Sequence, residues 1–350
     1  MATVMLYGAS GYTGALIARE AVRQGLRPLL AGRSREKLAP LAQELGLDVR
    51  NFGLEDPDGL REHLDGVTVL LNAGGPFKHT SAPLANACLQ SGTHYLDLAG
   101  EVPEFEALLA RDREAQSAGV MLLPGVGFGV VPTDSLAVYL KHRLPGATRL
   151  TLAFETVGGV SQGTAETVIA DLPRGGVARR AGRLMREAAG LRSRRIDFGF
   201  GPTVALSNPW RGDLSTAYRS TGIPTIETYM VVPSPLRTLM RASRFIGPLL
   251  GLPIVQRFLM QQARTSGGGP GAAERAAGRT AIWGEVADAG GHRIAARLTG
   301  PEAYDFTALT AVLTLQQILS GTITPGFQTP AQLLGADAVL RLPGVIRTDA

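Results

Sequence analysis

Residues 3–14 read Thr3-Val4-Met5-Leu6-Tyr7-Gly8-Ala9-Ser10-Gly11-Tyr12-Thr13-Gly14, and a helical pattern runs on from Ala15 to about Gln24, where Gly25 stops it. An apolar run, a glycine turn and a helix, in that order, are the context in which a glycine motif carries meaning. Glycine permits the tight turn and lets backbone N–H groups approach a diphosphate, which then sits at the positive end of the helix. The spacing is Gly-x-x-Gly-x-x-Gly rather than Gly-x-Gly-x-x-Gly. Alone, such a turn is a weak signal, because a βα turn without ligand looks the same. The next hundred residues of the chain decide the reading.

The pattern repeats. Arg27 to Ala31, Val49 to Gly53, Val67 to Leu71, Tyr95 to Leu98 and Val120 to Leu123 read as strands, with helices over Pro57 to Leu64 and Ser81 to Ser91. Near-continuous apolar strands suit a parallel sheet covered on both faces. The alternation predicts an α/β fold, a Rossmann-type doubly wound parallel sheet. Ligands of such sheets lie beyond the carboxyl ends of the strands. That rule brings together residues 8–14, 72–79 and 97–101. It nominates Gly8, Ser10, Gly11, Tyr12, Thr13 and Gly14 around a diphosphate. Asn72, Ala73, Gly74, Gly75, Pro76 and Phe77 then line the nicotinamide end.

An NAD-specific site places Asp or Glu about 20 residues past the glycines, on the ribose 2′-OH. No acidic residue occurs between Leu26 and Ser34; Arg33 and Ser34 stand there, with Lys37 one helical turn on. A guanidinium, a hydroxyl and an ammonium suit a 2′-phosphate. The expected cofactor is therefore NADP(H).

Composition bounds the rest. The chain has 350 residues, 45% hydrophobic and 19% charged, enough for a packed core and suggestive of two domains. One cysteine, Cys88, leaves no intrachain disulfide and no cysteine-based zinc site. The five histidines show no His-Glu-x-x-His pairing, so no metal is expected. Of 35 basic residues 32 are Arg and 3 are Lys, and no aromatic-interleaved basic patch points to nucleic acid. The amino terminus lacks the pattern of a secretory signal, and no run of about 18 uncharged apolar residues occurs. A cytoplasmic protein is the expectation.

In the second half, strands are expected over 148–157, 196–200, 203–206, 215–220 and 225–232, and a hairpin over 280–299 turning at 289–291. Helices are expected over 164–172 and 304–319. Together they suggest one open mixed sheet, offering a surface for a homodimer and a substrate cleft on its other face. Arg174, Arg179, Arg180, Arg183, Arg186, Arg192, Arg194 and Arg195 crowd an interval whose only acid is Glu187. They read either as a dock for the phosphate of a coenzyme A ester or acyl carrier, or as a solvated face. Residues 235–262 are rich in Leu, Ile, Phe and Met. Three readings stay open for them: a lid over an apolar substrate, a peripheral membrane contact, or core packing.

The motifs also resemble a known family. Gly-Ala-Ser-Gly-Tyr-Thr-Gly at 8–14, the segments 31–38, 72–77, 92–101 and 124–134, then 163–167, 175–176, 221–230 and 326–331 are similar to those of the saccharopine dehydrogenase-like oxidoreductases. The bacterial branch includes trans-acting enoyl reductases. The resemblance implies an NADP-binding Rossmann domain over 1–128, a substrate and dimerisation α/β domain over 129–321, and a segment 322–350 returning to the first. It implies hydride transfer to or from a C=C, C=N or C=O bond of a small-molecule or acyl substrate, carrier- or CoA-linked in one version. Candidate proton carriers are Lys78, His79, Tyr95, Asp97 and Glu101. Lys78 and His79 fit the chemistry best; Asp97 and Glu101 fit the family pattern better. Two departures stand near this centre: Gly129, where relatives often carry Asp, and the Lys78-His79 pair. A short-chain reductase is the rival enzyme. It uses Tyr-x-x-x-Lys, and the residues four before Lys37, Lys78 and Lys141 are Arg33, Gly74 and Ala137. The non-enzyme alternative is an NADP-binding redox sensor or lipid-surface scaffold without turnover.

Overall fold

A computed structural model describes residues 3–56, 59–159, 169, 175–208, 210–232, 237–238, 240–241, 249–265, 268–321 and 323–350. Strand β1 (Val4–Tyr7) leads into helix α1 (Tyr12–Arg23), then β2 (Leu29–Gly32), α2 (Arg35–Leu45) and β3 (Val49–Asn51). A 3-10 turn (Gly59–Leu64) precedes β4 (Val69–Asn72), α3 (Phe77–Ser91), β5 (His94–Asp97), α4 (Val102–Leu109), α5 (Asp112–Ser117) and β6 (Met121–Leu123). Helix α3 starts four residues before the expected Ser81. Pro76, in extended backbone, stands at its N-cap and leaves Phe77, Lys78 and His79 in the first turn.

The chain then runs through α6 (Val131–Arg143), β7 (Ala147–Val157), β8 (Gly176–Arg180), β9 (Arg183–Glu187), β10 (Ser193–Asp197), β11 (Pro202–Ser207), α7 (Asp213–Thr221), β12 (Thr225–Val231), α8 (Pro253–Thr265), α9 (Ala272–Ala277), β13 (Arg279–Asp288) and β14 (Arg293–Gly300). It finishes with α10 (Ala303–Leu319), β15 (Gly326–Phe327), α11 (Pro330–Leu334) and β16 (Ile346–Asp349).

The first sheet has the order β15-β6-β5-β4-β1-β2-β3, every neighbouring pair parallel. Both faces are buried, as its apolar strands require. Met5, Tyr7, Leu70, Tyr95 and Leu122 pack on the side of Leu84 and Cys88 of α3. Val4, Leu6, Leu30 and Leu71 pack on the other side, with Ile17 of α1 and Leu38 of α2. The strand order reverses between β1 and β4, which is the topological switch point.

Two compact units result: Met1–Val131 with Tyr304–Gly335, and Pro132–Ala303 with Ala336–Ala350. The expected division is corrected at both ends. The return to the first unit begins at Tyr304, not at 322, because Ala308, Ala311, Leu315 and Ile318 of α10 fill the core beside α1 and α2. Residues 336–350 do not stay there, because β16 pairs antiparallel with β14.

The second unit's sheet follows the path β10-β11-β12-β7-β13-β14-β16, with β8 and β9 joined to β12. It is not the open sheet expected. Arg194 on β10 reaches Thr151 on β7 and Glu285 on β13 and lies over the Trp283 ring. Strands four places apart would lie about 19 Å from one another in a flat sheet, so the sheet curls and encloses Ile196, Phe198, Tyr229 and Trp283. Residues 215–220, expected as a strand, belong to helix α7, which Gly222 ends in the left-handed conformation. Its hydroxyl side chains answer to the tertiary fold: Ser215 and Thr216 are buried, and Ser220 Oγ donates to Asp134 (2.8 Å). The β8–β9 hairpin was not expected from its Arg-rich sequence; it turns at Ala181 and Gly182, both at positive φ. The helix expected over 164–172 lies outside the described residues, apart from Ile169.

Candidate functional site

The site is built where the first sheet reverses. Tyr7 on β1 is in register with Asn72 on β4, and the Ala73 N–H donates to Tyr7 C=O (2.8 Å). The two loops that leave these strands touch. Gly8 has φ +80°, and a Cβ there would stand 2.5 Å from the Gly74 nitrogen. A Cβ on Gly14 would stand 2.3 Å from the Gly8 carbonyl oxygen. These contacts hold the turn flat against the sheet and aim the first turn of α1 along the crevice. Gly11 is the N-cap and no side chain caps the helix. Ser10 and Gly11 are exposed, Tyr12 and Thr13 half-buried. A cradle of bare backbone at an uncapped helix start fits a dinucleotide diphosphate.

Beyond β2, Arg33 and Lys37 are exposed, and neither side chain makes an ion pair among the described residues. Ser34 caps α2, its Oγ accepting from the Lys37 N–H (3.4 Å). The charge of Arg33 is felt by Tyr7, whose pKa burial raises, Arg33 opposing and Glu55 reinforcing the shift. Two unpaired cations and a hydroxyl at this edge match a phosphate ester.

The loop after β4 is held from beneath. Asn72 Nδ2 donates to Thr80 Oγ1 (3.0 Å) and to Tyr95 OH (3.3 Å), while Asn72 Oδ1 accepts from the Gly74 N–H (2.9 Å). Thr80 Oγ1 donates to the Gly74 carbonyl (2.7 Å). Gly75 and Pro76 are left exposed, Ala73, Gly74 and Phe77 half-buried. Asn72 itself is buried, so it shapes this loop from inside.

Asp97 is the hub of that network. It has no exposed surface. Its Oδ2 accepts from Tyr95 OH (2.9 Å) and Ser81 Oγ (3.2 Å), its Oδ1 from the N–H groups of Ala99 (2.9 Å) and Gly125 (3.0 Å). Burial raises its pKa, against the pull of these four donors. Burial, and then the charge of Asp97, push Tyr95 well above the usual phenol range. The sequence nominated both as proton carriers. The structure encloses both fully. Asp97 fastens three segments: the start of α3, the end of β5 and the loop at Gly125.

The remaining candidates lie nearer the surface. Lys78 and His79 are exposed in the first turn of α3, and their side chains make no hydrogen bond or ion pair among the described residues. Glu101 is half-buried at the N-cap of α4, and its Oε2 accepts from the Gly100 N–H (2.8 Å). Sequence reading missed the contribution of α10. Tyr304 lies edge-on against Tyr12, with ring centroids 5.0 Å apart, and Thr307 Oγ1 accepts from the Phe128 N–H (3.2 Å). No local signal links Tyr304 to a glycine turn nearly three hundred residues earlier.

Two features recede. Of the arginine cluster, Arg179 is buried, with Nε donating to the Leu214 carbonyl (2.6 Å). Arg180, Arg192 and Arg194 pair with Glu227 (2.8 Å), Glu187 (2.6 Å) and Glu285 (2.8 Å). Only Arg183, Arg186 and Arg195 of the described members are exposed, and Arg174 lies outside the described residues. A cavity of about 790 Å³, lined by Thr3, Arg27, Asp48 and Arg50 among others, opens at the opposite ends of β2 and β3, away from the crevice where such sheets bind ligands. Among the described residues there is no metal-binding cluster and no helix long and apolar enough to cross a membrane.

Comparison with known proteins agrees with this geometry. Residues 4–123 match the family model described as the saccharopine dehydrogenase NADP binding domain. A Bos taurus saccharopine dehydrogenase-like oxidoreductase is 28% identical over 183 residues, 46% of this chain and 42% of that protein. A Mycobacterium tuberculosis protein named "Putative trans-acting enoyl reductase" is 30% identical over 181 residues, 47% of this chain and 43% of that protein. The matches thus span less than half the length of these curated relatives. Apo saccharopine dehydrogenase (L-Glu forming) from Saccharomyces cerevisiae shares the fold, with a TM-score of 0.69 over 100% of both chains at 11% identity. Residues 4–123 thus match the saccharopine dehydrogenase NADP binding domain, and over less than half of its length the chain is similar to the saccharopine dehydrogenase-like oxidoreductases.

Proposed function

We propose that the protein is an NADP(H)-dependent oxidoreductase that moves hydride to or from a C=C, C=N or C=O bond of a small or acyl-type substrate. The observation that carries this reading is the contact of Gly8 with Gly74 at the switch point, with Arg33 and Lys37 exposed beyond β2 and without an ion pair among the described residues. NADP(H), when bound, supplies the hydride chemistry. The chain's residues then divide the remaining work. The backbone of residues 8–14 binds the diphosphate, and Arg33, Ser34 and Lys37 select the phosphorylated ribose. Residues 73–77 present a surface with few bulky side chains at the nicotinamide end. Asn72, Tyr95 and Asp97 keep that surface in place. Lys78, His79 and Glu101 are the groups available to hold or hand over a proton, because they are near the loop and are not enclosed. An enoyl acceptor is favoured by the name of the mycobacterial relative.

Purified protein mixed with 4-deuterated NADPH and a panel of enoyl thioesters, imines and carbonyl compounds tests the reading. Deuterium should enter the product of one acceptor class, with NADPH used at least about tenfold better than NADH. No deuterium in any product, or equal use of the two coenzymes, would overturn it.

A further inference from the structure

Residues 228–273 contain five arginines, Arg237, Arg241, Arg244, Arg257 and Arg264, and no aspartate or glutamate. With 30 acids in 350 residues, a stretch of this length should hold about four. The described part of this segment also carries the most prominent run of exposed large apolar side chains among the described residues. Leu249 is 61% exposed, Leu252 46%, Ile254 69% and Phe258 60%. Among the described residues the other exposed large apolar side chains, Val157, Met185, Leu191, Phe200 and Ile346, are scattered along the sequence.

The arrangement is directional. Ile254 and Phe258 are four apart on α8, so they share one face. Arg257 and Gln261, exposed as well, lie on the same side. The helix is fixed from within: Gln256 Nε2 donates to the carbonyls of Ile169 (3.1 Å) and Leu250 (2.8 Å). The apolar side chains therefore point outward in a defined orientation. Soluble monomers rarely leave such a group of large apolar residues in water without a partner.

We propose that Leu249, Leu252, Ile254 and Phe258 dock the protein on an anionic phospholipid surface, the apolar side chains entering the acyl boundary and Arg257, exposed on the same side of α8, meeting headgroup phosphates. An interfacial helix needs an apolar face beside cations, and an anionic bilayer satisfies both at once. A second copy of this chain would set one arginine segment against another. Helix α8, of 13 residues, is shorter than a membrane span, so the contact is peripheral.

Flotation of the full chain with vesicles tests this. The protein should float with vesicles of phosphatidylcholine and phosphatidylglycerol, far less with phosphatidylcholine alone, and less as salt rises. The Ile254→Ser/Phe258→Ser double variant should bind at least about tenfold more weakly while keeping wild-type NADPH affinity, which reports an intact fold. Met185→Ser/Phe200→Ser, changed elsewhere on the surface, should float like the parent. The proposal is overturned if the parent stays unbound with anionic vesicles, if neutral vesicles bind it equally, or if the double variant floats undiminished. Retention on immobilised polyglutamate without vesicle binding would indicate an acidic protein partner and would also overturn it. So would a dimer in solution that the double variant abolishes in the absence of lipid binding by the parent.

Discussion

The nitrogen of Gly74 stands 2.5 Å from the place a Cβ on Gly8 would take, so the glycine turn after β1 and the loop after β4 close on each other across the switch point of the sheet. Gly8 also has φ +80°. Neither loop keeps its place if the other moves. Gly8→Ala must therefore push the two loops apart and strain the backbone. NADPH affinity, followed by the quenching or enhancement of its fluorescence, is expected to fall at least about tenfold. Unchanged affinity would mean that the turn does not hold the coenzyme.

Arg33 is the residue that sets coenzyme choice in this reading. Its guanidinium is exposed beyond β2 and has no ion-pair partner among the described residues. Arg33→Ala should lower NADPH affinity about tenfold, equivalent to ~1.4 kcal/mol, and leave NADH affinity as it was. Competitive titration of the two coenzymes checks this, and a parallel loss for both would assign Arg33 to general stability instead.

Asp97 and Lys78 should separate cleanly under denaturant. Removing the buried carboxylate in Asp97→Ala strands the donors of Tyr95, Ser81, Ala99 and Gly125. A loss of about 3 kcal/mol is expected in urea unfolding. Lys78→Ala and His79→Ala, both at exposed positions, should stay within about 0.5 kcal/mol of the parent. In hydride transfer the order reverses in kind, since only the exposed pair would change the pH profile of a protein that remains folded.

His94 gives the fold a pH dependence. Burial holds its imidazole below the ordinary value of 6.5, and Nδ1 accepts from the Met121 N–H (3.1 Å), which requires a neutral ring. The unfolded chain therefore takes up a proton at higher pH than the folded one. The contribution of His94 to stability is complete above about 6.5 and is lost as pH falls through the lower folded value. Urea midpoints measured from pH 8 to 5 should fall on acidification, and the slope should flatten in His94→Asn. An unchanged slope would contradict the assignment.

Local pattern was enough for the first unit, because each of its strands is followed by its own helix and both sheet faces are apolar. That Gly8, Gly14, Asn72 and Asp97 lie at the same end of the sheet was legible for the same reason: a parallel sheet puts the ends of its strands together. What Asp97 and Tyr95 do there was not legible. Their burial depends on Ser81 and Gly125, which the sequence keeps 16 and 28 residues away from Asp97. The second unit misled where side chains answer to distant partners. Residues 215–220, expected as a strand, belong to a helix that buries Ser215 and Thr216. The arginines of 176–187 lie on a hairpin, where Arg180 pairs with Glu187 and, on another strand, with Glu227. Tyr304 and β16 were beyond reach because their neighbours are set by tertiary pairing alone.

The most direct measurement is calorimetric titration of the purified protein with NADPH, in the parent and in Gly14→Val, where a side chain would enter the 2.3 Å gap to the Gly8 carbonyl. One molecule bound per chain with a Kd of about micromolar order, absent in the variant, is the expected result. No heat of binding in the parent, or binding that survives the substitution, would show that this crevice does not hold the coenzyme.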